Sequence, residues 1–267
     1  MENMKAFRCL KKLVFIISLV IYTTAYAGDK NEGIELYKKG ADLLYKGQYH
    51  ESIDYFDQVI EKLPKCSQAY ILKARALSMN GHYDKVIEVI DEVLKFDDKK
   101  NEVKRNSMAL ATKAQALYNL GKYEESLECA DLSLSFDKDF VLALYVRGAS
   151  HGALGHYELA INDFDKTLVL DPDNKTNYET YLNRFCPLYK LKRYEEALQT
   201  CNKALKITDN AEKLPQIYSK KAAALNKLGK HAEALYYSDK ALKVNSNDPL
   251  AISEKKLAKS KLKKGWF

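Results

Sequence analysis

Large apolar residues recur along most of the chain with the spacing of an amphipathic helix. In several segments two of them stand seven residues apart, which is two helical turns and therefore one helix face. A small residue usually lies between the two, as a close crossing with a second helix requires. These sets are Leu36 and Leu43 around Gly40, Tyr70 and Leu77 around Ala74, Leu110 and Leu117 around Ala114, Tyr181 and Leu188, and Tyr218 and Leu225 around Ala222.

A second apolar stripe follows each of these segments after a short polar turn. It occupies positions i, i+4 and i+7, so its members also share one helix face. Examples are Ser52-Phe56-Val59, Ala160-Phe164-Thr167, Ala197-Cys201-Ala204 and Ala234-Ser238-Ala241. The pattern predicts a series of helix pairs, in which the second helix packs back on the first.

A three-residue marker separates the two helices of every pair. The markers are Gly47-Gln48-Tyr49, Gly81-His82-Tyr83, Gly121-Lys122-Tyr123, Gly155-His156-Tyr157, Lys192-Arg193-Tyr194 and Gly229-Lys230-His231, at intervals of 34, 40, 34, 37 and 37 residues. The residues in excess of 34 fall between repeats, at 99–106, 175–177 and 209–214. We therefore divide the chain into six repeats, at 33–66, 67–100, 107–140, 141–174, 178–211 and 215–248.

Six consecutive units of this kind resemble the tetratricopeptide repeat (TPR) family. The agreement is fullest between Leu144 and Pro172, where Gly148, Gly155-His156-Tyr157, Ala160, Phe164 and Asp171-Pro172 fit the family pattern together. The resemblance covers about residues 33–248. It implies an all-α fold, a right-handed α-α superhelix (TPR solenoid) of helix-turn-helix repeats.

Three features depart from the family pattern. The proline that ends a unit is present only at Pro64 and Pro172, Phe185 replaces the small residue of the fifth unit, and His151 replaces a core leucine in the fourth. The family pattern therefore specifies the packing of the fifth unit least.

The last segment, residues 249–267, has the features of a C-terminal capping helix. Asp248-Pro249 provides a capping carboxylate and a proline for the first turn. One stripe is apolar, with Leu250, Leu257 and Leu262, and the rest is rich in lysine. A solenoid needs a terminal helix with a polar outer face, so this segment is expected to close the last repeat.

Residues 1–27 have the three parts of a secretory signal peptide. Basic residues between Lys5 and Lys12 precede an apolar run, Leu13–Tyr22, and Ala25-Tyr26-Ala27 supplies the small residues that signal peptidase requires. The run is shorter than the ~20 residues of a transmembrane helix, and an uncleaved membrane anchor is the alternative. We predict an exported bacterial protein, periplasmic or secreted, with cleavage after Ala27, a short linker at 28–32 and no stable membrane insertion.

Composition excludes several other classes of protein. With 46% apolar and 30% charged residues, the 267-residue chain is suited to an ordered core, and its 11 glycines are few for an all-β fold with many tight turns. The net charge of +7 is unevenly distributed. The segment from Lys213 onward contains 13 lysines and four acidic residues, whereas residues 28–212 carry an excess of acidic groups.

The sequence carries no catalytic or cofactor motif, and we predict a non-enzymatic protein that binds no cofactor and no metal. His50, His82, His156 and His231 lie at or beside turns. His151 and His156 are five residues apart, so we expect them not to share a helix face. For Cys66, Cys129, Cys186 and Cys201, a bridge between Cys186 and Cys201 and free packing thiols both remain open, since export permits disulfides.

In TPR proteins the concave face, lined by the first helix of each repeat, holds peptides, and the resemblance implies the same here. The residues beside the core positions of these helices are the candidates for a partner-binding groove. They are Tyr37, Leu44, Ile71, Arg75, Met79, Gln115, Tyr118, Tyr145, Asn183, Tyr189, Lys190, Lys220 and Lys227. The set changes from aromatic and apolar in the first four repeats to amide and basic in the last two.

This distribution predicts a protein or peptide partner with apolar anchors and acidic residues. It predicts neither a small-molecule substrate nor a specific nucleic acid. The expected function is a non-catalytic protein–protein interaction scaffold that binds a peptide or helical segment of its partner. The alternative is binding of an anionic surface, lipid or nucleic acid, through the basic C-terminal cap.

Export is directly testable. Because small residues stand at Ala25 and Ala27, the protein recovered from the periplasm or the medium is expected to begin at Gly28. Intact-mass measurement checks this. A membrane-bound form that retains Leu13–Tyr22 would contradict the prediction.

Overall fold

The chain folds into a series of α-helices joined by short turns. The computed structural model describes residues 29–96, 102–172, 177–208 and 211–264, and every regular element in these ranges is a helix. The predicted signal peptide lies outside the described residues. The helices are α1 (Asp29–Tyr45), α2 (Tyr49–Lys62), α3 (Ser67–Met79), α4 (Tyr83–Leu94), α5 (Glu102–Asn119), α6 (Tyr123–Phe136), α7 (Val141–Ala153), α8 (Tyr157–Leu170), α9 (Asn177–Lys190), α10 (Tyr194–Ile207), α11 (Leu214–Lys227), α12 (His231–Val244) and α13 (Pro249–Lys264).

Two compact units divide these helices between them. The first unit extends to Ala143 and contains the first three helix pairs, and the second begins at Leu144, inside α7. In the first unit α1 to α6 pack each on the next, and the first helices of successive pairs also touch, α1 with α3 and α3 with α5. In the second unit the same order runs from α8 to α13, with α9 on α11 and α11 on α13. The predicted all-α fold built from helix pairs is confirmed.

The two apolar stripes of a repeat meet inside its helix pair. Phe56 of α2 is fully buried against Gly40 of α1, where an added Cβ would lie 3.0 Å from the phenyl ring. Phe164 of α8 covers Gly148 of α7 in the same way. The stripe residues of α2, α8, α10 and α12 are all buried. Apolar surface removed from water along these stripes therefore holds each pair together.

Serine stands at two of these crossings, where three other repeats have alanine and the second has Val86. The Ser52 hydroxyl of α2 donates to the Gly40 carbonyl of α1 (2.9 Å), and Ser126 of α6 donates to the Ala114 carbonyl of α5 (2.8 Å). Both serines are fully buried, and an unpaired hydroxyl there would cost about 1–3 kcal/mol. The small residue of the first helix thus also makes its carbonyl accessible to the second helix.

The sequence marker forms the same turn in all six pairs. The backbone NH of its second residue donates to the carbonyl five residues earlier, as from Gln48 to Leu43 and from Lys122 to Leu117 (both 2.9 Å). This Schellman motif requires a left-handed residue just after the helix. Glycine provides it in five turns, with φ between 76° and 82°. In the fifth repeat Lys192 takes this conformation, with φ of 62°.

At four junctions an ion pair joins the second helix of one repeat to the following helix. The pairs are Asp57–Lys73, Asp91–Lys113, Asp165–Arg184 and Asp239–Lys255. Their carboxylates are 43–51% exposed, so each pair contributes at most about 1 kcal/mol. At the junction of α10 and α11, Asn202 stands at the position of the aspartate, and the Lys221 ammonium lies 4.0 Å from the Tyr237 ring centroid.

Several predicted boundaries differ from those of the structure. The segment 28–32, predicted as a linker, is helical from Asp29 and belongs to α1. The third repeat begins at Glu102 rather than at 107. The reason is that α5 has 18 residues, and part of the extra segment 99–106 is helical at its start. The fifth and sixth repeats begin at Asn177 and Leu214, each one residue earlier than predicted.

The last helix, α13, packs on α11 and α12. The Asp248 carboxylate accepts a hydrogen bond from the backbone NH of Ala251 (3.0 Å) and so caps the start of the helix. Ala251 and Ala258 are fully buried on its inner side. None of the helices in the described ranges is long and apolar enough to cross a membrane.

The close crossing of α7 and α8 predicts a strong effect of size at Gly148. A Cβ there would lie 3.1 Å from both Asp163 Cβ and the Phe164 ring, so Gly148→Leu is expected to lower the free energy of unfolding by about 1–3 kcal/mol or more. Chemical denaturation measures it. Gly152→Ala in the same helix is the control, because its Cβ would make only ordinary contacts, at 3.7 Å from Ala160 Cβ. Equal stability of the Gly148→Leu variant and the natural chain would contradict the packing.

The left-handed conformation of Lys192 predicts that a substitution there raises the stability of the protein. Lys192→Gly is expected to raise the free energy of unfolding by about 0.5–1 kcal/mol, because relief of backbone strain exceeds the entropy that glycine adds to the unfolded chain. Gly229→Lys is the matched reverse exchange in the sixth repeat. A Cβ at Gly229 has nothing within 4 Å, so the loss of stability expected there reports backbone strain alone. A destabilised Lys192→Gly variant would show that the lysine side chain matters more than its φ.

Candidate interaction surface

In the first unit, the predicted groove residues lie in different environments. Arg75 and Met79 near the end of α3 are exposed, Met79 to 57%. Leu44, Gln115 and Tyr118 are half-buried. The Tyr118 ring lies 5.5 Å from the Tyr123 ring, between centroids, at the turn that follows α5. These five residues remain candidates for contact with a partner.

Tyr37 and Ile71 are core residues, and their assignment to an open groove is wrong. Tyr37 is 2% exposed and shares its apolar cluster with Ala69 of α3. Ile71 is 8% exposed and shares its cluster with Ala109 of α5. The physical reason is that the first helix of the following repeat covers this side of each helix.

The buried Tyr37 side chain is also chemically unusual. Its ring packs edge-on against Phe56, with 6.0 Å between centroids. Burial raises the pKa of its hydroxyl above the usual range, and that hydroxyl has no hydrogen-bond partner among the described residues. The apolar cluster therefore packs around the ring and offers the hydroxyl no hydrogen-bond partner.

In the second unit, an amide and a tyrosine connect the first helices of the fourth and fifth repeats. The Asn183 amide of α9 donates to the Tyr145 hydroxyl of α7 (2.7 Å). Both side chains are half-buried, and the Tyr145 ring lies tilted against Phe164, with 6.1 Å between centroids. This hydrogen bond places two predicted groove residues side by side.

On α9 and α11, aromatic rings, a lysine and a thiol form a second group. Phe185 and Tyr189 of α9 stack with 5.5 Å between centroids, and the Lys220 ammonium of α11 lies 5.0 Å from the Phe185 centroid. The same ammonium is 3.1 Å from the sulfur of Cys186, which is exposed. Phe185 is 4% exposed and lies in the core, so Tyr189, Lys220 and Cys186 form the accessible part of this group. Cys186 was not among the predicted groove residues, and the bulky Phe185 beside it, where other repeats have a small residue, is the sequence signal that could have indicated it.

Polar contacts tie this group to the last helix. Burial and, secondarily, Glu254 of α13 raise the pKa of Tyr189 to about 12, so its hydroxyl is protonated at neutral pH. The Asn226 amide of α11 donates to the Glu254 carboxylate (2.8 Å) and to its backbone carbonyl (2.9 Å). Glu254 is a further residue of this surface that the sequence analysis missed, because it lies outside the repeats.

Exposed positive charge borders the aromatic group. Lys190 and Lys227 are the last residues of α9 and α11, and both are exposed. Lys220 also lines a cavity of about 590 Å³, which lies where α11 begins, α12 ends and α13 begins. The lining combines polar groups such as Ser219 with apolar ones such as Leu250. The surface therefore offers aromatic contact and basic charge together.

The four cysteines in the described part of the chain are free thiols. Cys201 lies in the core of the fifth repeat at 1% exposure, and burial raises the pKa of its thiol to about 12. Cys186 is exposed on the neighbouring helix. The two do not form a bridge in this structure.

Comparison with known families identifies the repeats. A family model for the tetratricopeptide repeat matches residues 104–254, which is more than half of the chain. A second model with the same description matches residues 43–105. The chain therefore belongs to the tetratricopeptide repeat family. No curated protein sequence matches it.

Several solved structures share the fold. The chain is similar to a chain of the APC/C hetero-tetramer Cut9–Hcn1 (TM-score 0.77, 19% identity, 93% of this chain and 46% of that one). It also resembles pilF of Pseudomonas aeruginosa (TM-score 0.68, 14% identity, 85% of this chain and 98% of that one). A third similar structure is YrrB, a TPR protein with an unusual peptide-binding site (TM-score 0.56, 18% identity, 75% of this chain and 97% of that one). The chain thus spans less than half of the Cut9–Hcn1 chain. At these identities the likeness shows the fold alone.

Proposed function

We propose that the chain is an exported, non-catalytic scaffold that binds a peptide or helical segment of a partner protein. The observation that carries this proposal is the surface formed by α7, α9 and α11, where aromatic rings and lysines lie side by side. Family membership supports it, because repeats of this kind bury their stripes against neighbours and present side chains of the first helices to partners. Export rests on the sequence of residues 1–27.

The chemistry of this surface favours a partner with apolar anchors and acidic residues. Tyr145 and Tyr189 provide amphipathic rings of the kind that dominate the energy of interfaces. Lys190, Lys220 and Lys227 provide positive charge, which mainly accelerates and orients association. An acidic, partly apolar segment satisfies both properties at once.

A displayed random peptide library, selected on the full chain, tests the proposal. We expect the selected peptides to be enriched in aromatic or aliphatic residues together with Asp and Glu. The charge-reversal variant Lys220→Glu/Lys227→Glu is expected to slow association with these peptides by about fivefold or more, and less so at high salt. Stopped-flow or interferometric association rates measure this.

The matched control is Lys203→Glu/Lys206→Glu, which makes the same charge change on exposed positions of α10, a second helix. We expect it to leave the association rate nearly unchanged. If both double variants slow association equally, the effect comes from net charge and not from the proposed surface. If neither does, the surface of α7, α9 and α11 does not bind the peptides.

A second candidate function is supported by the outer side of α13. Lys256, Lys259, Lys261 and Lys263 are exposed there, next to Ile252 at 48% exposure. Such a helix can bind an anionic surface through charge and a small apolar contact. Cosedimentation with phosphatidylglycerol vesicles distinguishes this function, since Lys256→Glu/Lys259→Glu would abolish it without affecting peptide binding.

A further inference from the structure

Two histidines meet at the turn between α7 and α8. His151 and His156 have their Nδ1 atoms 3.3 Å apart and their ring centroids 5.5 Å apart. The two residues do not share a helix face, but they meet across the turn, because α7 ends at Ala153 and the left-handed Gly155 reverses the chain. His156 therefore lies over the end of α7, and its backbone NH donates to the His151 carbonyl (2.8 Å).

The pair is particular to the fourth repeat. In the other five turns the position of His151 is held by leucine, at Leu43, Leu77, Leu117, Leu188 and Leu225. The position of His156 is held there by Gln48, His82, Lys122, Arg193 and Lys230. All six turns close with the same backbone hydrogen bond, so closing the turn does not require imidazoles. The turn therefore does not require a histidine at the position of His151.

The separation of the two nitrogens matches that of two ligands on one zinc ion. Zn–N bonds of 2.0–2.1 Å at a tetrahedral angle place two ligand nitrogens about 3.3–3.4 Å apart. We propose that His151 and His156 bind Zn²⁺ through their Nδ1 atoms. The backbone hydrogen bond between the two residues keeps their main chains together, and the two Nδ1 atoms have this spacing without metal.

The protonation states of the two rings are compatible with this binding. Without metal, one Nδ1 donates a proton to the other across the 3.3 Å separation. With zinc bound, both rings carry their proton on Nε2 and both Nδ1 lone pairs face the metal. A neutral pair holds two ring protons before and after, so binding needs only a change of tautomer.

Water completes the coordination. Among the described residues no group of three or more His, Cys, Asp or Glu side chains is placed to hold a metal ion. His156 is exposed and His151 is half-buried, so zinc reaches the pair from solvent. The metal connects the last turn of α7 to the residue before α8, and it thereby stabilises the fourth helix pair.

Zinc titration of the full chain tests the proposal by calorimetry and by thermal unfolding. Zn²⁺ in excess of its Kd is expected to raise the melting temperature by a few degrees, whereas Mg²⁺, which prefers oxygen ligands, is not.

Variants drawn from the other repeats make the test specific. His151→Leu and His156→Gln introduce the residues of the first repeat, Leu43 and Gln48, and each is expected to fold and to lose the zinc-induced shift. His82→Gln is the control, since His82 has the position of His156 but faces Leu77, and it is expected to keep the shift. A shift that persists in His151→Leu/His156→Gln, or no zinc binding by the natural chain, overturns the proposal.

Discussion

The close approach of two helices at one small residue is the interaction on which five of the six repeats depend. Gly40 and Gly148 leave room for the rings of Phe56 and Phe164, and the carbonyl of Gly40 is near enough to accept from Ser52. This approach requires a short turn of constant shape, which the Schellman motif provides. A single pair cannot bury both of its stripes, so each pair within a unit packs on the next and α13 covers the last.

The departures from this design concentrate in the fifth repeat. Phe185 stands where a small residue is usual, Lys192 where the turn has glycine, and Asn202 where the ion pairs between repeats have aspartate. The same repeat carries the stacked Phe185 and Tyr189 beneath the Lys220 ammonium. Phe185 is 4% exposed and belongs to the apolar core of the fifth repeat, so the exchange changes how this repeat packs.

Equivalent backbones with different side chains explain how one architecture supports different sites. Six turns share a hydrogen-bond pattern, yet only the fourth brings two imidazole nitrogens within 3.3 Å. First helices share a register, yet α3 ends in exposed Met79 and α9 in exposed Lys190. The fold therefore fixes which positions lie side by side, and the individual residues determine the chemistry at each of them.

The sequence by itself determined the helices, their pairing and the turns, because the apolar period and the glycine markers act within about 34 residues. It also identified the stripe residues that are buried. Which neighbouring positions remain open was decided only by the tertiary structure. Tyr37 and Ile71 have the same register as groove residues, but the first helix of the following repeat covers them.

Contacts across a turn or between repeats were also decided only by the tertiary structure. His151 and His156 lie on different faces if one helix is assumed, and chain reversal at Gly155 brings them together. Lys220 meets Phe185 and Cys186 because α11 packs beside α9. Periodicity within one helix carries no information about which side the next helix covers. For that reason the candidate surface could be identified only from the packed structure.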